Sequence, residues 1–145
     1  MKVSEIMTKD PIKVKIMTPI KEVAKLMRDK SVSSVIIVKN EKPIGIVTER
    51  DLVRRVMASD RDLNRITAFD ICSKPVVAVS EISEIDDAVE LMKKNKIRRV
   101  VVVDSSDRVV GILTTDDIGY NLKSLSEDLA IKYVTIMKRQ MTGYC

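Results

Sequence analysis

Gly45-Ile46-Val47-Thr48-Glu49-Arg50-Asp51-Leu52 and Gly111-Ile112-Leu113-Thr114-Thr115-Asp116-Asp117-Ile118 spell one pattern twice: glycine, two apolar residues, threonine, two variable residues, aspartate. Upstream of each copy stands a β-branched run, Val35-Ile36-Ile37-Val38 and Val100-Val101-Val102-Val103, and further back Leu26-Met27 matches Leu91-Met92 and Ile6-Met7-Thr8 matches Ile71-Cys72-Ser73. The spacing is 65 residues up to the β runs and 66 beyond them. The extra residue falls where Lys39-Asn40-Glu41-Lys42-Pro43 becomes Asp104-Ser105-Ser106-Asp107-Arg108-Val109, a turn that absorbs insertion cheaply. Residues 1–55 and 66–122 are therefore an internal repeat.

Each copy reads as a short strand, a helix, a two-strand hairpin and a second helix, β-α-β-β-α, in an α/β (α+β) fold. The first helix puts Ile20, Val23, Ala24 and Met27 on one face, and Ile85, Ala88, Val89 and Met92 repeat that spacing. Thr18-Pro19, and Ser83 with Asp86 three residues on, are expected to start these helices. About 55 residues make a marginal domain, so the two copies are expected to pack together through their sheets. The boundaries are repeat 1 at 1–58, a polar linker at 59–65, repeat 2 at 66–123, and a C-terminal helix and tail at 124–145. In the last segment Leu125, Leu129, Tyr133 or Val134, and Met137 mark an amphipathic helix over 124–140, whose mixed-charge polar face favours packing on its own domain or on a dimer mate over membrane binding.

Composition narrows the chemistry. The chain has 145 residues, 45% hydrophobic and 32% charged, which suits one globular unit and excludes a disordered chain. No run approaches the roughly 20 apolar residues that span a bilayer, and Met1-Lys2-Val3-Ser4-Glu5 lacks the apolar core of a signal peptide, so a cytoplasmic protein is expected. It contains no histidine, which removes imidazole bases, Ser/His and Cys/His pairs and most zinc sites. Two cysteines cannot fill a four-thiolate site; Cys72 reads as a small buried thiol and Cys145 as an exposed chain end. Phe69, Tyr120, Tyr133 and Tyr144 are too scattered for a base-stacking platform, while the net charge of +5 permits a polyanionic partner without requiring one. No catalytic constellation emerges, and no enzyme is expected.

Thr48-x-x-Asp51 and Thr114-x-x-Asp117 support two readings. Both fit helix starts in which hydroxyl and carboxylate satisfy backbone N–H groups. Both also fit a binding site, since glycine three residues before the threonine permits close approach of backbone to a ligand and a carboxylate there can accept hydrogen bonds from vicinal hydroxyls, as an acidic residue does for ribose. An aspartate at a helix start repels phosphate, so cations must come from elsewhere. Arg98 and Arg99, where the first copy has Ser33 and Ser34, are either a solvated strand entrance or such cations.

With these residues the chain resembles the tandem CBS-domain family, or Bateman modules, over about residues 1–122. The resemblance implies two copies packed about a pseudo-twofold axis, with adenosine-type ligands in two clefts between them. It implies that Thr48 and Asp51 hold one ribose, with Val77, Ile97, Arg98 and Arg99 around base and phosphate. Thr114 and Asp117 then hold the other, lined by Ile12, Val32 and Ser33. Arg50 lies where some members place a phosphate-contacting base, but its counterpart is Asp116, so the two sites are expected to differ, with tighter phosphate binding on the Asp51 side. The expected protein is a stand-alone regulatory sensor, with no obligatory cofactor, that binds AMP, ADP, ATP or S-adenosylmethionine, forms a homodimer and signals to an effector protein. The alternative is a nucleic-acid-associated or structural interaction module with empty clefts.

Overall fold

The structure is a computed structural model and describes residues 1–121 and 126–139. Leu125 and the tail residues Gly143, Tyr144 and Cys145 lie outside the described residues. The protein is a mixed α/β chain of two compact units, one formed by Pro11–Val76 and the other by Met1–Asp10 with Val77–Cys145. The units are offset from the sequence repeats: each repeat places its opening segment in the unit built on the other.

In the unit of Pro11–Val76, strands β2 (Lys13–Lys15), β3 (Ser34–Lys39) and β4 (Lys42–Thr48) form a sheet ordered β2-β3-β4, parallel between the first two and antiparallel in the hairpin. Helix α2 (Ile20–Lys30) covers it, burying Ile20, Val23 and Met27 against Val35, Ile37 and Val47. Helix α3 (Glu49–Asp51) follows the hairpin directly and runs on as a π-helical stretch, Leu52–Met57. A 3₁₀ turn, Leu63–Arg65, leads into α4 (Ala68–Ile71), whose Ala68 and Ile71 join the same core.

The other unit repeats this plan with α1 (Val3–Ile6), β1 (Thr8–Lys9), β5 (Ala78–Ser80), α5 (Ile85–Asn95), β6 (Arg99–Val103), β7 (Val109–Thr114) and α6 (Thr115–Tyr120). Its sheet order is β1-β7-β6-β5. Helix α7 (Glu127–Arg139) packs on α5 and α6, with Leu129 and Ile136 in the core and Tyr133 partly buried against it. The helix begins at Glu127, later than expected; of the expected stripe Leu129 is buried and Tyr133 partly so, while Ile136, which was not in it, is fully buried and Val134 stays 46% exposed.

The starts of α2 and α5 differ from the sequence reading. No side chain caps either helix; their N-cap residues are Pro19 and Glu84. Instead, Ile20 N–H donates to the Ile66 carbonyl at 2.9 Å and Ile85 N–H to the Met1 carbonyl at 3.0 Å. Helix N-termini leave backbone donors unsatisfied, and here the opening segment of a repeat supplies the acceptor. In return Ala68 N–H donates to Thr18 O at 2.7 Å and Val3 N–H to Ser83 O at 2.8 Å. Thr18 and Ser83 thus act through their carbonyls.

Candidate functional site

Both first helices end in left-handed residues, Ser31 and Lys96, each at φ 54°. The next N–H, of Val32 or Ile97, reaches back to the carbonyl of Met27 or Met92 at 3.1 and 3.0 Å. This closure, usually made with glycine, aims the chain into the sheet, so that Ser33 and Arg98 stand at the entrance of β3 and β6.

There the hairpin returns beside them. Ser34 pairs with Thr48 and Arg99 with Thr114 in register, while Glu49 N–H donates to Ser33 O at 3.1 Å and Thr115 N–H to Arg98 O at 2.9 Å. The incoming edge strand adds Ile12, whose carbonyl accepts from Ile36 N–H at 2.9 Å, and Val77, whose carbonyl accepts from Val101 N–H at 3.0 Å. One unit therefore gathers Ile12, Ser33, Thr48, Arg50 and Asp51 at one end of its sheet; the other gathers Val77, Arg98, Arg99, Thr114 and Asp117. Val32 and Ile97 are half-buried and pack against the two cores.

The Thr-x-x-Asp turns are full capping boxes. Asp51 Oδ2 accepts from Thr48 N–H at 2.9 Å and from the Thr48 hydroxyl at 3.1 Å, and Asp51 N–H donates to Thr48 Oγ1 at 3.2 Å. Asp117 repeats these bonds with Thr114 at 2.9, 3.1 and 3.3 Å. The cap engages Oδ2 of each carboxylate, and the second oxygens differ. Asp117 Oδ1 accepts the Thr8 hydroxyl at 3.0 Å, whereas Asp51 Oδ1 stands 3.8 Å from Arg55 Nε. Asp51 is buried, unusual for a carboxylate, while Asp117 is half-exposed.

The cations are equally uneven. Arg98 is half-buried, and its Nε is shielded from solvent with no hydrogen-bond partner among the described residues. An unpartnered buried donor is costly unless something completes it. Arg55, which the sequence reading did not single out, donates from its guanidinium to the Ile71 carbonyl at 2.9 Å; the signal missed was its place one helical turn after Asp51.

The glycines of the motif have a different cause from the one expected. A Cβ at Gly45 would lie 2.7 Å from both Cys72 Sγ and the Ser73 carbonyl, and one at Gly111 would lie 2.5 Å from Met7 Sδ and 3.0 Å from the Thr8 carbonyl. The close approach they allow is to the chain itself. At that place β1 pairs Thr8 with Ile112, and Ser73 bridges Ile46. Cys72 is buried as expected, and desolvation, its main influence, pushes its thiol pKa up. Among the described residues no helix is long and apolar enough to cross a membrane.

A family model for the CBS domain matches residues 3–58 and 68–122. The chain is 43% identical over 98 residues, 67% of its length, to the uncharacterized protein MK0525 of Methanopyrus kandleri. It spans 50%, 19% and 32% of the lengths of the first curated relatives it matches. Among solved structures it is similar to the CBS domain pair of protein MJ0100 in complex with 5-methylthioadenosine and S-adenosyl-L-methionine, at 30% identity and a TM-score of 0.74, covering 84% of this chain and 99% of that one. It is also similar to the CBS domain protein PAE2072 from Pyrobaculum aerophilum complexed with AMP, at 25% identity and a TM-score of 0.76, covering 93% and 99%.

Proposed function

Because the chain belongs to the CBS-domain family, with two repeats filling most of its length, we propose that it is a regulatory module that binds an adenosyl ligand, AMP, ADP, ATP or S-adenosylmethionine, and performs no chemistry on it. One observation carries this reading: the capping aspartate occurs in both units at the same sheet end, with one oxygen engaged in the cap and a second oriented by another side chain. A cap alone needs neither Arg55 nor Thr8.

In this proposal the second oxygen accepts ribose hydroxyls. Thr48 and Asp51 serve one ribose and Thr114 and Asp117 the other, with Ile12, Val32, Ser33, Arg50, Val77, Ile97, Arg98 and Arg99 as the further candidate contacts. The orphan Nε of Arg98 gains a phosphate or carboxylate oxygen as its acceptor. MJ0100 and PAE2072 bind ligands of this class, which supports the choice. Signalling to an effector protein follows if the ligand favours one of two conformations, since only differential affinity shifts their populations. Pairing into a homodimer belongs to the same proposal, through a face other than the α7 stripe: Leu129, invoked for it, is 3% exposed and committed to its own unit.

A thermal-shift screen of adenine nucleotides and S-adenosylmethionine tests the reading. A ligand at about 100 times its Kd stabilises the fold by roughly 2.7 kcal/mol, a clear rise in Tm. If no adenosyl compound at about 1 mM moves the transition, the module binds through its surface and not through these carboxylates.

A further inference from the structure

Corresponding faces of the two units are finished differently. In the unit of Val77–Cys145, α7 lies over α5 and α6 and buries Val89 and Ile118 completely, and Lys132 on α7 reaches Glu90 at 2.6 Å and Asp86 at 3.8 Å. By the repeat spacing, the same place in the unit of Pro11–Val76 is framed by α2 and the π-helical stretch. It holds an apolar groove of about 350 Å³ lined by Ile20, Ala24, Leu52, Val56, Met57 and Leu63. Ala24, counterpart of the buried Val89, is exposed, as are Met57 at 81% and Leu63 at 47%. Apolar side chains clustered on a surface mark an interaction site more often than chance.

The charges say what fits. Where α5 has Asp86 and Glu90, α2 has Lys21 and Lys25, so the polarity that attracts Lys132 is inverted. Lys21 and Arg61 line the groove, and among the described residues no acidic side chain does. Where α6 has Gly119, on which a Cβ would lie 2.7 Å from the Tyr133 hydroxyl, the first repeat has Val53. A second copy's α7 therefore meets like charge at Lys132, and this unit lacks the glycine against which Tyr133 sits in the other. We infer that this groove docks an amphipathic helix of a partner protein, apolar on the seated face and carrying an acidic residue where α7 carries Lys132. Helix-in-groove recognition of this kind reads apolar anchors one turn apart and takes its specificity from flanking charge.

The test uses the full chain and a synthetic probe, the peptide of residues 126–137 with Lys132→Glu and Tyr133→Ala. A lactam between Glu127 and Ile131→Lys, both outward-facing on α7, holds it helical and removes the cost of ordering it. Fluorescence anisotropy is expected to show this probe binding at least about tenfold tighter than the same lactam peptide with native Lys132 and Tyr133. Ala24→Glu, at an exposed position, is expected to abolish binding without unfolding the chain. Lys21→Glu with Lys25→Glu is expected to lower the probe's affinity by about tenfold. Equal binding of both peptides, no binding of the acidic probe at about 1 mM, or binding that survives Ala24→Glu overturns the inference. So does sedimentation showing a dimer that Ala24→Glu dissolves, because the occupant is then a second copy.

Discussion

Asp51 and Asp117 end the same motif and make the same cap, but Asp51 is buried and Asp117 half-exposed, and different groups meet their second carboxylate oxygens. Thr8 donates a neutral hydrogen bond to Asp117 Oδ1; Arg55 faces Asp51 Oδ1 with a charge. A hydroxyl is a partner that a ribose hydroxyl can replace one for one. An arginine is a partner that can remain beside the ligand, 3.8 Å from the carboxylate oxygen. Repetition fixes a scaffold, and the residues at its margins make two sites of it.

The glycines break the comparison hardest. Gly45→Ala drives a methyl against the backbone oxygen of Ser73, which has nowhere to go, so a loss of about 3 kcal/mol in unfolding free energy is expected in a urea titration. Gly111→Ala meets chiefly the flexible Met7 thioether, and about 1 to 2 kcal/mol is expected. Equal losses would show that the two crossing segments are equally rigid.

The covered and open faces come next. Val89→Ala removes fully buried methyls beneath α7 and should cost about 2 kcal/mol, whereas Ala24→Val, which writes the same residue onto the exposed counterpart, should stay within about 0.5 kcal/mol of the parent. A large loss from Ala24→Val would mean that the groove is filled.

A smaller effect separates the two carboxylates. Thr8→Val removes the hydroxyl from Asp117 while keeping the side chain's shape, and Thr8 is exposed, so stability should change by less than about 0.5 kcal/mol. Ligand affinity at the Asp117 event should change several-fold while the Asp51 event stays put, as read by two-site calorimetry.

The smallest effect concerns Cys72. Burial raises its pKa, so the folded chain holds that proton more tightly than the unfolded chain does. Stability is then unaffected below the ordinary thiol pKa and declines slightly as pH rises through it. Alkylation by iodoacetamide should be slow in the folded protein and fast in urea, and rapid folded-state labelling would contradict the buried position.

The repeat, the hairpins and the two long helices were legible because their signals are local: i, i+3, i+4, i+7 spacing in Ile20–Met27 and Ile85–Met92, and β-branched runs before a turn. The Thr-x-x-Asp caps were legible for the same reason. What escaped is long-range. Helices α1 and α4 have four residues each, too few to show a period, and the acceptors for Ile20 and Ile85, the carbonyls of Ile66 and Met1 just ahead of those helices, lie far along the chain. The crossing of Met7 and Cys72 over the glycines, and the pairing of Thr8 with Asp117 at a separation of 109 residues, leave no mark in any local window. Hence the glycines were read as making room for a ligand when they make room for the chain.

The account rests on the carboxylates holding ribose as well as capping. Calorimetry with AMP on the parent, Asp51→Ala and Asp117→Ala chains, alongside their unfolding free energies, tests it most directly. Each substitution should cost about 0.5 to 2 kcal/mol of stability through the damaged cap and should also abolish or weaken at least tenfold one of the two binding events, a different event for each residue. Equal stability losses with both binding events intact would contradict it and leave the aspartates as caps alone.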